Sequence, residues 1–142
     1  MTTGDLKKVA TLEKECFSSP WTEEQLAESI AKDYSRFLVY VIRDEVVGYV
    51  GAYLLGEDAD ITNVAVTRAR RREGVGETLM REIIALLSSS GAKYLRLECR
   101  VSNSSAIALY EKLGFENVGV RPRFYEDNED AIMFEKRLSR EV

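Results

Sequence analysis

Apolar residues recur at helical spacing between Asp5 and Phe17, where Leu6, Val9, Ala10, Leu12 and Cys16 predict an amphipathic first helix. A second helix is predicted to open at Thr22. There Thr22-x-x-Gln25 fits a capping box, in which side chain and backbone at a helix start satisfy each other's hydrogen-bonding groups. The periodicity then changes. RFLVYVIR (Arg36 to Arg43) and VVGYVGAYLL (Val46 to Leu55) are rich in β-branched and aromatic residues and meet at Asp44-Glu45, as two strands of a hairpin would. ADITNVAV (Ala59 to Val66) reads as a third strand.

From Gly74 to Ser89 the stripe Val75, Leu79, Ile83, Leu86 and Leu87 predicts a helix packed on a sheet, with Gly91 just beyond its end. YLRLECR (Tyr94 to Arg100) alternates like a half-buried strand, and Asn103 to Leu113 reads as a helix capped by Asn103 and stopped by Gly114. Strands near Glu116 to Val120 and Ala131 to Leu138 complete the order ααβββαβαββ, an α/β chain with a mixed sheet between helices. No linker, repeat or low-complexity tract interrupts this order, so residues 1–142 are expected to form one domain.

Charge and composition narrow the function. A net charge of −4 argues against a surface that grips nucleic acid throughout, so any anion site must be local. Cys16 and Cys99 form no CxxC pair and no metal-ligand spacing, and read as reduced core thiols. No charged-then-apolar leader opens the chain and no apolar run approaches a membrane span, which gives the expectation of a cytoplasmic protein. Histidine is absent, so Ser-His and Cys-His catalysis are excluded and an ordinary zinc site is not expected. Proton transfers would fall to Glu, Asp, Tyr, Lys, Cys or water.

The junction VAVTRARRREGVGETLM (Val64 to Met80) carries the strongest local signal. Gly74-x-Gly76 removes two Cβ atoms where the chain enters a helix and exposes N–H groups at its positive end, an arrangement that holds phosphate, with Arg70, Arg71 and Arg72 alongside. A solvated arginine face and an ordinary glycine turn fit the same segment. The dinucleotide fingerprint and the P-loop do not fit: the third glycine of the one and the Gly-Lys-Ser/Thr of the other are missing.

Arg71-x-x-Gly74-x-Gly76 after Val64-Ala65-Val66 resembles the coenzyme loop of the GNAT superfamily of N-acetyltransferases, and LECRVSNSSAIALYEKLGF (Leu97 to Phe115) resembles the second half of that fold. Together with TNVAV and RPRFYEDNEDAIMFEK, these stretches are similar to the RimI-like subgroup, which acetylates protein N-termini. The resemblance implies a GNAT fold with about four helices around a mixed sheet, its first strand short or absent. It implies acetyl-CoA as cosubstrate and no metal. The pyrophosphate would lie on Arg71, Arg72, Glu73, Gly74, Val75, Gly76 and Glu77, the pantetheine arm along Val64, Ala65 and Val66, and Asn103 would touch the coenzyme. Glu98 matches the general base and Tyr110 the donor toward the departing thiolate. Pro20, Trp21 and Tyr125 match positions that shape the peptide site. The implied partner is a protein N-terminus or peptide, ribosomal proteins included, without direct nucleic-acid or membrane contact; oligomeric state is left open.

Physical chemistry is compatible with these roles. An N-terminal amine with pKa about 7.8 is roughly a tenth neutral at pH 7, whereas a lysine at about 10.4 is neutral about four times in ten thousand, so an α-amine needs only a modest base. A carboxylate at Glu98 suffices if burial raises its pKa. Without the resemblance, Glu98 reads as the polar side of a strand and Tyr110 as core beside Ile107, Leu109 and Leu113. Glu126, Asp127, Glu129 and Asp130 read as a solvated turn. Two departures stand out: Phe124-Tyr125 replaces a tyrosine pair, and Glu73 sits where a basic residue is frequent. The alternatives are the same transfer to a lysine or small amine, and a silent acyl-CoA-sensing or ribosome-associated module.

Overall fold

The computed structural model describes residues 1–138. Two helices come first, α1 (Leu6–Cys16) and α2 (Glu23–Ile30), followed by strands β1 (Ser35–Ile42), β2 (Glu45–Leu55) and β3 (Asp58–Val66). Helix α3 (Val75–Ser89) crosses to β4 (Tyr94–Arg100), and α4 (Ser104–Lys112) leads to β5 (Glu116–Arg121) and β6 (Ala131–Arg137). The expected order is thus observed, and the expectation of a short or absent first strand is met by a 3-10 turn at Thr3–Asp5 ahead of α1. The capping box forms: the Gln25 N–H donates to Thr22 Oγ1 at 3.1 Å and the Thr22 N–H to Gln25 Oε1 at 2.9 Å. The hairpin turn falls one residue earlier than expected, at Arg43 (φ 50°) and Asp44 (φ 67°). Two successive left-handed residues suit the tight hairpin geometry normally marked by Asn-Gly, a signal that this sequence lacks.

The sheet order is β1-β2-β3-β4-β6-β5. Helices α3 and α4 cover one face through Val47, Val50, Leu79, Ile83, Leu87, Leu97 and Phe134. Helices α1 and α2 cover the other through Val9, Leu12, Leu26, Phe37, Tyr49 and Ala65. Burial from both sides explains why β2 is buried without a break from Val47 to Ala52 instead of alternating. Among the described residues no helix is long and apolar enough to cross a membrane.

One irregularity positions the site. Gly51 pairs with Asn63 while the next residue, Ala52, pairs with Ile61, so Thr62 is an extra residue that bulges β3; its hydroxyl donates to the Gly51 carbonyl at 3.2 Å. Beyond this bulge β3 and β4 part company. Their parallel pairing covers only Asp58–Tyr94, Ala59–Leu95 and Asp60–Arg96, although both strands continue. The sheet therefore opens into a V whose inner walls are the end of β3 and the end of β4.

Gly51 lies beside this bulge for a steric reason. A Cβ there would stand 2.4 Å from the ring of Phe37, a buried side chain stacked on Tyr49 with centroids 6.4 Å apart. Gly51→Ala is expected to cost about 1–3 kcal/mol of stability, the range for overpacking, and Phe37→Leu in the same chain to restore part of it. Denaturant unfolding checks this: the midpoint should fall without a change of slope, and an unchanged midpoint would refute the contact.

Candidate active site

The V between β3 and β4 is the floor of a cleft of about 540 Å³. Its walls come from the loop after α1 (Phe17, Ser18, Ser19, Trp21), from Ile61 to Val64 on β3, from Leu97 to Arg100 on β4, from Asn103, Ala106 and Tyr110 at α4, and from Phe124 to Asp127 before β6. Of the residues expected from sequence, the cleft gathers Trp21, Val64, Glu98, Asn103, Tyr110 and Tyr125. Pro20 lies outside its lining, and Ala65 is buried on the face of α1.

Alternation along β4 sends neighbours to opposite faces. Leu97 and Cys99 are buried toward α3 and α4, whereas Glu98 is exposed on the side of the loop after α1. The burial on which the sequence argument for Glu98 depended is therefore absent, and its carboxylate stands open at the cleft wall. Tyr110 approaches from the other face. It is only 8% exposed and packs edge-on against Phe115 and Phe134, with centroids 6.0 and 5.9 Å away. Burial, with smaller contributions from Cys99 and Tyr125, holds the Tyr110 phenol above its ordinary pKa. The Cys99 thiol is likewise pushed up, to about 11, by burial first and by Glu129 second.

At the far end of β3 the chain turns through Arg68–Arg70 and enters α3 with Gly74 at φ 82° as its N-cap. The first helical bond runs from the Thr78 N–H to the Gly74 carbonyl at 3.0 Å, and no side chain caps the start, so the N–H groups of Val75, Gly76 and Glu77 point outward without helical partners. A Cβ on Gly76 would lie 3.7 Å from Val66 and 3.8 Å from Leu109, which places this mouth between the end of β3 and α4, the helix that lines the cleft. The surrounding arginines are mostly occupied by the protein itself. Arg70 pairs with Glu73 at 3.4 Å, and Arg71 Nε donates to the Val66 carbonyl at 3.1 Å. Arg72, in a left-handed conformation at φ 67°, makes no hydrogen bond or ion pair with the described residues. Glu77 turns its carboxylate to Lys112 at 2.7 Å and Arg81 at 3.0 Å, and these bonds hold its pKa below the ordinary value.

Opposite Glu98, the segment before β6 is tied down by its own charges. Arg100 Nη1 pairs with Asp127 at 2.8 Å and Glu129 at 2.9 Å, and its guanidinium lies 4.1 Å over the Tyr125 ring. Asp130 accepts the Arg123 N–H at 2.9 Å, so most of this acidic run does shape a turn, as its sequence suggested. Glu126 instead accepts from the Ser19 hydroxyl, bridging the two loops across the cleft. Asn103 accepts the Ala106 N–H at 3.2 Å, so its capping role is realised while its side chain also reaches the cleft. Sequence reasoning missed Glu13, which lines the cleft at 1% exposure and is the one charged side chain fully buried among the described residues. The signal was present: Glu13 follows Leu6 by seven positions, inside the buried stripe of α1.

Residues 6–115 match the model of the Acetyltransferase (GNAT) family. A Bacillus subtilis protein provisionally named for ribosomal protein bS18-alanine N-acetylation is 37% identical over 131 residues, covering 91% of this chain and 87% of its own length. The crystal structure of the Escherichia coli ribosomal-protein-S18-alanine N-acetyltransferase superimposes with a TM-score of 0.91 at 29% identity, over 100% of this chain and 93% of that one. The Ard1 structure from Thermoplasma volcanium gives 0.92 at 26% identity, over 99% and 95%.

Burial raises the pKa of Glu13 above its ordinary 4.5, against the lowering effect of donors from Trp21, Tyr49 and Asn63. The folded protein therefore holds this proton more tightly than the unfolded chain does. The contribution is full below the ordinary carboxylate pKa and is lost as pH rises through the raised value. Thermal unfolding of wild type and Glu13→Gln at about pH 5 and about pH 8 tests the sign: the wild-type advantage should be larger at the lower pH, and a larger advantage at the higher pH would contradict it.

Proposed function

Since the chain belongs to the Acetyltransferase (GNAT) family and is an acyltransferase by that membership, we propose that it moves an acetyl group from acetyl-CoA directly to the α-amine of a protein N-terminus. The names of the relatives support the acceptor: two of those described above are named for the alanine of a ribosomal protein. Ribosomal proteins or nascent chains are the substrates this reading favours, which sets the reaction in the cytoplasm. The observation that carries the proposal is the V itself, which brings Glu98 from one face of the sheet and Tyr110 from the other into one cleft.

Acetyl-CoA fits the residues present and supplies an activated thioester when bound. The uncapped start of α3, with Gly74 left-handed and Gly76 without a Cβ, offers N–H groups and a positive helix end to a diphosphate. Arg72 stands free to join them, while Glu73 is held by Arg70. Past the bulge, Val64 to Val66 no longer pair with β4; the Val66 carbonyl accepts from Arg71 and Cys16, and the remaining groups on that side can bond an amide-bearing arm as an added strand would. Asn103 borders the same cleft.

Glu98 accepts the ammonium proton, directly or through a water, and its exposure suits an amine that is already partly neutral. Tyr110 aims a hydrogen bond at the departing sulfur. Its raised pKa fits stabilisation of developing charge better than outright proton donation. Cys99 remains a thiol near neutral pH, which favours direct transfer over an acetyl-cysteine. Trp21 and Tyr125 wall the acceptor side.

Peptides with free and with blocked N-termini, assayed by mass spectrometry with fragmentation, test the acceptor. Acetylation is expected at the free terminus; modification confined to lysine would overturn the reading. Glu98→Gln should slow transfer by about a hundredfold, the low end for general bases, while stabilisation at 100 times Kd of acetyl-CoA stays near 2.7 kcal/mol.

A further inference from the structure

Glu13 has no part in the chemistry just described, yet its carboxylate is bound on three sides. Oε1 accepts the Trp21 backbone N–H at 2.8 Å, and Oε2 accepts the Tyr49 hydroxyl at 2.8 Å and, at a longer 3.5 Å, the Asn63 Nδ2. No lysine or arginine approaches it closely enough to shift its titration. Burying a carboxylate without a counter-ion is costly, and the cost is met here by donors from three separate elements. Two of those elements line the cleft: the loop that carries Trp21, and β3 immediately after the bulged Thr62. The third, Tyr49 on β2, does not line the cleft.

Asn63 adds an independent observation. Its Oδ1 is the one buried side-chain polar atom without a partner among the described residues. An unpaired buried acceptor is unfavourable, and the contacts of the Asn63 amide with Glu13 and Tyr49 offset part of that loss. The Nδ2, and not the Oδ1, faces the carboxyl group of Glu13.

We propose that Glu13 is a positioning residue for the acceptor amine: it pins the Trp21 loop to the bulged end of β3 and so sets the width of the cleft on the side where the peptide enters. This rests on the N-terminal acetyltransferase reading above. The coenzyme mouth at α3 lies beyond Val66, three residues past Asn63 along β3, and receives no bond from Glu13. A gain in cleft width should therefore be felt by the peptide and not by the coenzyme.

Glu13→Gln keeps the volume but leaves one acceptor oxygen where the carboxyl group has two, so the Trp21 N–H and the Asn63 Nδ2 compete for it. Tyr49→Phe removes the bond from β2, which does not line the cleft, and leaves the Trp21 N–H and Asn63 Nδ2 bonds to Glu13 in place. Steady-state kinetics with both substrates, well below each variant's Tm, separate the roles. Glu13→Gln is expected to raise peptide KM roughly tenfold or more, the effect of one lost hydrogen bond to a charged group, with the KM for acetyl-CoA within about twofold of wild type. Tyr49→Phe should lower Tm and leave peptide KM within about twofold. Peptide KM unchanged in Glu13→Gln, or both KM values raised together, would overturn the proposal. If Glu13→Gln does not fold, Asn63→Ala breaks the strand side of the pin and should show the same selective rise; its absence would overturn the proposal equally. Wild type that acetylates no free N-terminus would refute the functional reading instead, before any variant is compared.

Discussion

Backbone polar groups left without protein partners are the feature on which this structure turns. A sheet normally satisfies its strands on both edges, and a helix start is normally capped. Here the Thr62 bulge ends the pairing of β3 with β4 while both strands run on, and the helix that follows opens on Gly74 without a side-chain cap. Those two lapses adjoin one another in space, because the turn through Arg68–Arg70 brings the start of α3 back beside Val66 at the end of β3. One gives hydrogen-bonding capacity along a strand, the other a positive pole for phosphates, and between them they fit a ligand with an amide arm and a diphosphate.

The same opening brings the chemistry together. In a continuous sheet, Glu98 and Tyr110 would be divided by the plane of the strands. Because β3 withdraws, the exposed carboxylate on one side of β4 and the phenol packed under the other reach one volume. Helix α1 then connects the parts. Glu13 bonds the Trp21 loop and β3, Glu15 accepts from the Thr67 hydroxyl at 2.9 Å, and the Cys16 thiol donates to the Val66 carbonyl at 3.4 Å. A single helix thereby reaches both the Trp21 loop and the turn that leads into α3.

Much of this was readable from residue patterns. The caps at Thr22 and Asn103, the limits of β4 and the glycine entry to α3 all depend on neighbours in sequence, and all were found where expected. What escaped depends on partners distant along the chain. Thr62 is a bulge only because Gly51 and Ala52 oppose residues two apart, and no local signal marks it. The Arg71 side chain looked like a phosphate ligand but is bonded to the Val66 carbonyl, a contact made by the turn between them. Glu98 is exposed, as the polar side of an alternating strand should be, and only the splay of β3 from β4 brings it to the cleft. Glu13 was legible as a charge in an apolar stripe; its three donors, from the following loop, β2 and β3, were not.

Amide hydrogen exchange with and without acetyl-CoA tests the central claim most directly. Binding should slow exchange at Val64 and Val66 and at Val75 to Glu77, whose N–H groups the bulge and the uncapped helix leave free, and leave the outer strand β5 unchanged. Protection spread evenly over the sheet, or none at the start of α3, would contradict it.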